Sequence, residues 1–232
     1  DVFDFEKGAD RIDRLGPTRL TQSGIISPKK MKNAMWIAFA LAICAGFYLV
    51  LIGGWPIVFI GLASITAGIA YTGGPYPLGY YGFGDVFVFI FFGLIAVPGT
   101  YYLQMGTVNV ISIWMGVVMG MLSMAILVIN NLRDADADKL SGKRTLAVSL
   151  GKYFSKIQYS LLMLLPFILP IYLWWISANE SSLLLTVFSI PLSCYLIKQT
   201  FSLTGSSLNP VLHRTALFLF IFTVLLSIGL IV

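Results

Sequence analysis

The sequence predicts an all-α, polytopic transmembrane helical bundle with seven spans, and three observations predict it. Of the 232 residues, 58% are hydrophobic and only 11% are charged, whereas soluble domains carry about twice that charge. Low-charge apolar stretches recur near 34–52, 55–72, 84–104, 108–131, 157–177, 181–200 and 215–232. Each is roughly the 17–25 residues that cross about 30 Å of hydrocarbon as helix. Finally, all 15 Lys and Arg residues fall on one side, in the N-terminal segment and in or at the edges of alternate gaps between these stretches. Such alternation is the positive-inside pattern and makes the basic side cytoplasmic.

In chain order, residues 1–32 are polar and read as a helix end followed by a loop. Gly16-Pro17 breaks any helix there, and Ser27-Pro28 leads into the first span. The second span, 55–72, is short and glycine-rich. Between the second and third spans lies TGGPYPLGYYGFG (72–84), uncharged until Asp85. Its glycines and prolines exclude regular helix, and its aromatics suit a partly inserted, lid-like loop or pocket wall. After the fourth span, 132–153 is a second polar island, read with 1–32 as a pair of cytoplasmic motif loops. The stretch SLTGSSLNPVLH (202–213) reads as a plain turn before the last span. Cys44 and Cys194 lie in different spans, where small buried hydrophobes are the default reading and a disulfide is not expected. The whole chain, 1–232, reads as one membrane domain. It lacks an initiator Met and opens inside an acidic helical pattern, so upstream residues are expected.

The net charge of +5 does not indicate nucleic acid, because its distribution follows topology. The N-terminal segment carries Lys7, Arg11, Arg14, Arg19, Lys29, Lys30 and Lys32. The central island carries Arg133, Lys139, Lys143, Arg144, Lys152 and Lys156, and Lys198 and Arg214 flank the last connection. The opposite turns contain none.

Two acidic clusters interrupt the apolar chain on that same side: DVFDFEKGAD (1–10) and NNLRDADAD (130–138). Carboxylates beside a hydrocarbon phase are costly unless they hold something, and a divalent cation is the leading candidate. Asn130, Asp134 and Asp138 recur every four residues, so a helix continuing past residue 131 stacks them on one face, with Asn131 beside them and Asp136 pointing elsewhere. Asp1 and Asp4 likewise share a face, with Asp10 and Asp13 further along. Mg²⁺ takes one or two carboxylates together with phosphate oxygens and water, so two such patches suit a metal-bridged diphosphate. The bland alternative is solvated charge at helix ends. An EF-hand is excluded, because Lys139 replaces the turn glycine and Thr145 the bidentate Glu.

Downstream, Lys143 and Arg144 can grip phosphate oxygens or simply obey topology. Arg19, Thr21, Gln22 and Ser23 offer further polar groups near the first cluster, or a capped turn. Tyr76, Tyr80 and Tyr81 can present aromatic faces to a cation. Asp85 reads as an acidic residue favouring a helix N-terminus. His213, the single histidine, lends no support to a histidine metal site or a catalytic triad.

DVFDFEKGAD, GPTRLTQSG, YTGGPYPLGYYGFGD and NNLRDADADKLSGKRTLAVSLG, in that order, resemble the membrane aromatic prenyltransferases of the UbiA superfamily. The likeness is greatest to the branch that prenylates 1,4-dihydroxy-2-naphthoate in menaquinone synthesis. It covers most of 1–151; the last three spans match only as membrane helix. The family's first motif opens with an Asn that would precede residue 1, and members typically have nine spans. The resemblance therefore implies two upstream spans and an incomplete first half-site.

It further implies a cell inner (cytoplasmic) membrane enzyme with a cytoplasm-facing site and Mg²⁺ as cofactor. Its substrates would be a polyprenyl diphosphate and an aromatic acid. Asp1, Asp4, Asp134 and Asp138 would hold metal; Asp4, Asp134 and Asp138 would carry catalysis. Asn130, Asn131, Lys143, Arg144, Arg19, Tyr76 and Tyr80 would bind substrate. The products would be demethylmenaquinol, diphosphate and carbon dioxide. Another acceptor such as 4-hydroxybenzoate, a transporter, and a non-catalytic scaffold are the alternatives. Expected span centres free of ionisable residues count against a transporter. The sequence leaves oligomeric state and prenyl length open.

Overall fold

A computed structural model describes residues 2–8, 15–16, 18–176 and 181–231. Every regular element among them is helical. Seven helices are long and apolar enough to cross a membrane: Pro28–Gly53, Trp55–Thr72, Gly84–Met105, Val110–Leu140, Lys152–Ile176, Ser182–Ser202 and Gly205–Ile231. The chain is a multi-pass membrane protein.

The first two spans form a hairpin turned on one residue. Gly54 has φ +66°, which glycine adopts without a Cβ clash, and its N–H donates to the Val50 carbonyl at 2.8 Å. Pro56 then occupies the first turn of the next helix, where a missing N–H costs nothing. These spans are peripheral: in Pro28–Gly53 only Gly53 is buried.

The third span approaches the fourth through glycines. It winds as π-helix over Phe89–Ile95, and a Cβ added at Gly93 would lie 2.5 Å from the Gly116 carbonyl oxygen and 2.6 Å from Gly120 Cα. Small residues that let backbones touch are the usual adhesive between helices in lipid, where water supplies no hydrophobic drive. The fourth span is the central post. Its Val118, Leu122, Ala125 and Ile129 pack with Met163 of the fifth span, Leu196 of the sixth, and Phe218 and Phe222 of the seventh. Phe167 meets Phe222 edge-on at 5.2 Å. Several polar groups in this core pair with one another or with backbone: Tyr159 and Thr215 hydroxyls lie 2.8 Å apart, and Ser193 Oγ donates to the Met163 carbonyl at 3.0 Å. Pro166 interrupts the fifth span with a 3₁₀ turn, Leu165–Phe167.

The larger departures from the expected limits are at the charged ends of the helices. The fourth runs to Leu140, so the island at 132–153 begins as helix rather than loop. At about 1.5 Å per residue its 31 residues measure about 46 Å, well beyond about 30 Å of hydrocarbon. The stretch 202–213 is not a plain turn. Only Leu203 and Thr204 leave the helical path; Gly205–Leu208 is a 3₁₀ turn and helix resumes at Asn209. Pro210 starts that helix instead of breaking it, because a first-turn proline forfeits no hydrogen bond. Cys44 and Cys194 are free, as expected, but exposed on the outer face rather than buried.

Candidate active site

The charged ends of the helices converge on one cleft of about 190 Å³. The short helix Val2–Glu6 delivers Asp4, which is 4% exposed. The overhang of the fourth span delivers Leu127, Asn130, Asn131, Asp134 and Asp138 as a single stripe. Asp136 faces away, its carboxylate accepting from Lys152 Nζ at 2.6 Å. The connection after the fourth span turns at Gly142, φ +75°, and its Lys143 N–H donates to the Asp138 carbonyl at 2.9 Å. That tight return brings the Lys143 side chain back beside Asp138.

Each cleft carboxylate has a cation. Arg133, 2% exposed, grips Asp134 with its fork: Nε donates to Oδ1 at 2.7 Å and Nη2 to Oδ2 at 2.6 Å. The same guanidinium donates to Asn130 Oδ1 at 2.9 Å and to Asn209 Oδ1 at 3.0 Å. Asn209 in turn donates to the Leu15 carbonyl at 3.2 Å. Lys143 Nζ stands 3.6 Å from Asp138, and Arg19 Nη2 stands 3.5 Å from Asp4. Tyr80 completes the Asp4 shell, its hydroxyl donating to Oδ1 at 2.6 Å. Side-chain cations thus stand beside the carboxylates that the sequence offers to a metal.

Tyr80 also pins the 72–84 segment across the cleft mouth. The Arg144 N–H donates to its carbonyl at 2.6 Å, and the Lys143 and Lys7 ammonium groups lie 4.8 and 5.4 Å from its ring centre. Lys7 additionally donates to the Thr72 and Gly74 carbonyls at 2.8 and 2.9 Å. The two acidic motifs are thus cross-linked through one irregular segment.

Of the residues singled out from sequence, Asp4, Arg19, Tyr80, Asn130, Asn131, Asp134, Asp138 and Lys143 line the cleft together. Arg144 does not; it borders a neighbouring pocket. Tyr76 is 75% exposed, against Tyr81 rather than in the cleft. Asp1, Asp10 and Asp13 lie outside the described residues. His213 bonds the Asn209 carbonyl in its own helix and takes no part. Sequence reasoning missed Arg133 and Asn209 as structural partners, and Tyr71 and Thr145 as lining. A basic residue inside an acidic helical run is the available signal for Arg133, and topology alone accounts for it equally well. Asp85 is more than a helix-end charge: it is 3% exposed and accepts from Gln158 Nε2 at 3.3 Å.

Two larger cavities adjoin. An apolar groove of about 570 Å³ between the second and third spans is lined by Gly68, Phe87, Phe91 and, at its shared border with the cleft, Tyr71. A polar pocket of about 410 Å³ lies on the other side of Tyr80.

The UbiA prenyltransferase family profile matches residues 1–222. The chain is 34% identical to the 1,4-dihydroxy-2-naphthoate octaprenyltransferase of Haemophilus influenzae, over 100% of this chain and 78% of that protein. It is 38% identical to the Escherichia coli protein of the same name over 71% of this chain, and 40% identical to that of Mycobacterium tuberculosis over 68%. Those two matches span about half the relatives' own length, 55% and 54%. Human UbiA prenyltransferase domain-containing protein 1 is 28% identical over 92% of this chain. Similarity over nearly the whole chain, to a family profile and to relatives above 30% identity, settles the kinship: the chain belongs to the UbiA prenyltransferase family.

Proposed function

We propose that this chain carries the site of a membrane aromatic prenyltransferase. It transfers a polyprenyl group from polyprenyl diphosphate to 1,4-dihydroxy-2-naphthoate, releasing diphosphate and carbon dioxide and giving demethylmenaquinol. The observation that carries the reading is the convergence of Asp4 with Asp134 and Asp138, from motifs four spans apart, on one cleft that also holds Lys143 and Arg19.

The donor set suits Mg²⁺. Carboxylate and amide oxygens are hard ligands, and no group of three acidic, His or Cys side chains among the described residues could cage an ion unaided. An ion held there would need diphosphate oxygens and water to complete its shell. Asp4, Asp134 and Asp138, with Asp1 of the same motif, would hold it, and Mg²⁺ when bound would neutralise charge on the leaving diphosphate.

The chain's own residues do the rest. Lys143 and Arg19 direct positive charge at the diphosphate oxygens, and Asn130 and Asn131 offer amide donors. The apolar groove takes the isoprenoid tail, with Tyr71 at the point where tail meets diphosphate. The 72–84 segment, held by Tyr80, keeps water from an allylic cation that water would quench. The alternating distribution of basic residues supports a cleft that faces the cytoplasm from the cell membrane.

The test incubates membranes carrying the protein with polyprenyl diphosphate and a panel of aromatic acids, 4-hydroxybenzoate included, with and without Mg²⁺. Prenylated naphthoquinol forms only with the metal, and Asp134→Asn and Asp138→Asn each lower turnover by about 100-fold or more, the scale of lost transition-state electrostatics. Full turnover in both variants would remove the metal assignment. Preference for 4-hydroxybenzoate would move the acceptor while leaving the reaction class.

A further inference from the structure

Asp85 stands apart from the other acids among the described residues. Asp4, Glu6, Asp134, Asp136 and Asp138 each have a Lys or Arg partner. Asp85 has none, although it is 3% exposed at the start of the third span. Its side chain accepts one hydrogen bond, from Gln158 Nε2 of the fifth span to Oδ2 at 3.3 Å. Two oxygens of this pair are left over, Asp85 Oδ1 and Gln158 Oε1, both shut off from solvent and both without a partner. Ser155, one turn earlier in the fifth span, is not the missing donor, because its own hydroxyl is unpartnered as well. A lone buried carboxylate and two orphaned acceptors are each costly. A single proton answers all three costs. Placed on Oδ1 and donated to Gln158 Oε1, it neutralises the acid and closes a ring of two hydrogen bonds between acid and amide.

We infer that Asp85 is held as the neutral carboxylic acid in a cyclic pair with the Gln158 amide, and that this pair is a positioning device tying the trailing end of the 72–84 segment to the fifth span. Asp85 directly follows that segment. Beside it, a Cβ added at Gly84 would lie 2.8 Å from the Tyr71 hydroxyl, and one added at Gly79 would lie 2.9 Å from the Tyr71 ring. Tyr71, the wall shared by cleft and groove, is thus wedged between two glycines of the segment. Lys7 holds the leading end through the Thr72 and Gly74 carbonyls, and Tyr80 holds the middle through Asp4. The acid–amide pair supplies the third tie. Released there, the segment can lift from Tyr71 and admit water where the allylic cation forms. That effect on water rests on the function proposed above; the pairing itself does not.

Asp85→Asn is the informative change. Asparagine keeps the outline of the neutral acid, accepting from Gln158 Nε2 and donating to its Oε1, whereas an ionised acid used in the chemistry has no such substitute. The whole protein in membranes is given polyprenyl diphosphate, 1,4-dihydroxy-2-naphthoate and Mg²⁺. Two products are counted: prenylated naphthoquinol, and free polyprenol as the mark of water reaching the cation. Asp85→Asn keeps their ratio within about twofold of the parent, because both hydrogen bonds survive. Asp85→Leu loses both and raises the polyprenol fraction roughly tenfold, with the donor KM little changed. The double variant Asp85→Leu/Gln158→Leu leaves neither partner orphaned, so it folds, and it leaks like Asp85→Leu. Infrared difference spectra of the parent against Asp85→Asn, taken without substrates, show a protonated-carboxyl C=O band that the variant lacks. Absence of that band, or an Asp85→Asn protein as inactive as Asp134→Asn, overturns the neutral pair. A parental polyprenol fraction in the double variant overturns its positioning role. A parent protein that shows the band but transfers no prenyl group to any acid would keep the pair and remove the proposed reaction.

Discussion

Arg133 decides the shape of the cleft without facing the proposed substrates. Its fork holds both oxygens of Asp134 while touching Asn130 and Asn209, so it sets the second acidic motif against the start of the seventh span. Removing one partner of a buried ion pair leaves an uncompensated charge. Arg133→Met is therefore expected to destabilise the protein by about 3–5 kcal/mol, read as a drop in thermal unfolding temperature in detergent. Arg133→Lys keeps charge but loses the planar fork; it is expected to fold while losing activity, mostly in kcat. Equal activity in the Lys variant would show that charge alone suffices. Tyr80→Phe deletes one charge-assisted bond to Asp4, worth about 1.5–3 kcal/mol. Because Arg19 still faces Asp4, the expected result is weaker donor binding in a folded protein. An unchanged donor KM would mean that the hydroxyl only decorates the loop.

At the level of elements, the contact between the third and fourth spans has the least tolerance. A methyl at Gly93 would sit on the backbone of Gly116 and Gly120, so the helices themselves must part. Gly93→Ala is expected to cost at least the 1–3 kcal/mol of ordinary overpacking, with folded yield in membranes as the measure. Gly61→Ala, with nothing near its missing Cβ, is the tolerated comparison. Hydropathy made the spans legible, because lipid forbids any unpaired backbone and leaves helix as the only open form. Their charged ends were not legible. Asp134, Asp136 and Asp138 look like a solvated loop until Arg133, Lys143 and Lys152 are placed beside them, and those partners come from packing. Pro210 misled for a related reason: a proline marks either the end of a helix or its first turn, and only the surrounding backbone distinguishes them.

For the whole molecule, three cavities sit in a row, apolar, acidic and basic, with Tyr71 and Tyr80 as the shared walls. The acidic member could be read from motif spacing, since Asn130, Asp134 and Asp138 share a helical face. The other two could not, because Phe91 and Gly68, or Lys7 and Arg144, become neighbours only through the fold. The arrangement also bears on the transporter alternative: charged groups gather where the helices end, and the core of the bundle is closed by Phe167, Phe218 and Phe222. Chelating divalent cations is accordingly expected to abolish prenyl transfer while leaving the fold intact, measured as activity and circular dichroism on one sample. Unfolding on chelation would instead make the metal structural.

The length of the fourth span has a consequence for the lipid around it. Its last ten or so residues, Asn130 to Leu140, stand about 15 Å proud of what a bilayer of ordinary thickness would cover. In the proposed reaction the donor's phosphates would then never have to enter oil; they would stay at headgroup level while the tail alone travelled inward. Bilayer thickness becomes a control on catalysis, since a thicker membrane lifts the phosphates past the aspartates, and a thinner one leaves them short. Turnover in vesicles of phosphatidylcholines with graded acyl lengths should pass through a maximum, and a flat profile would mean that the helix carries its own local membrane with it.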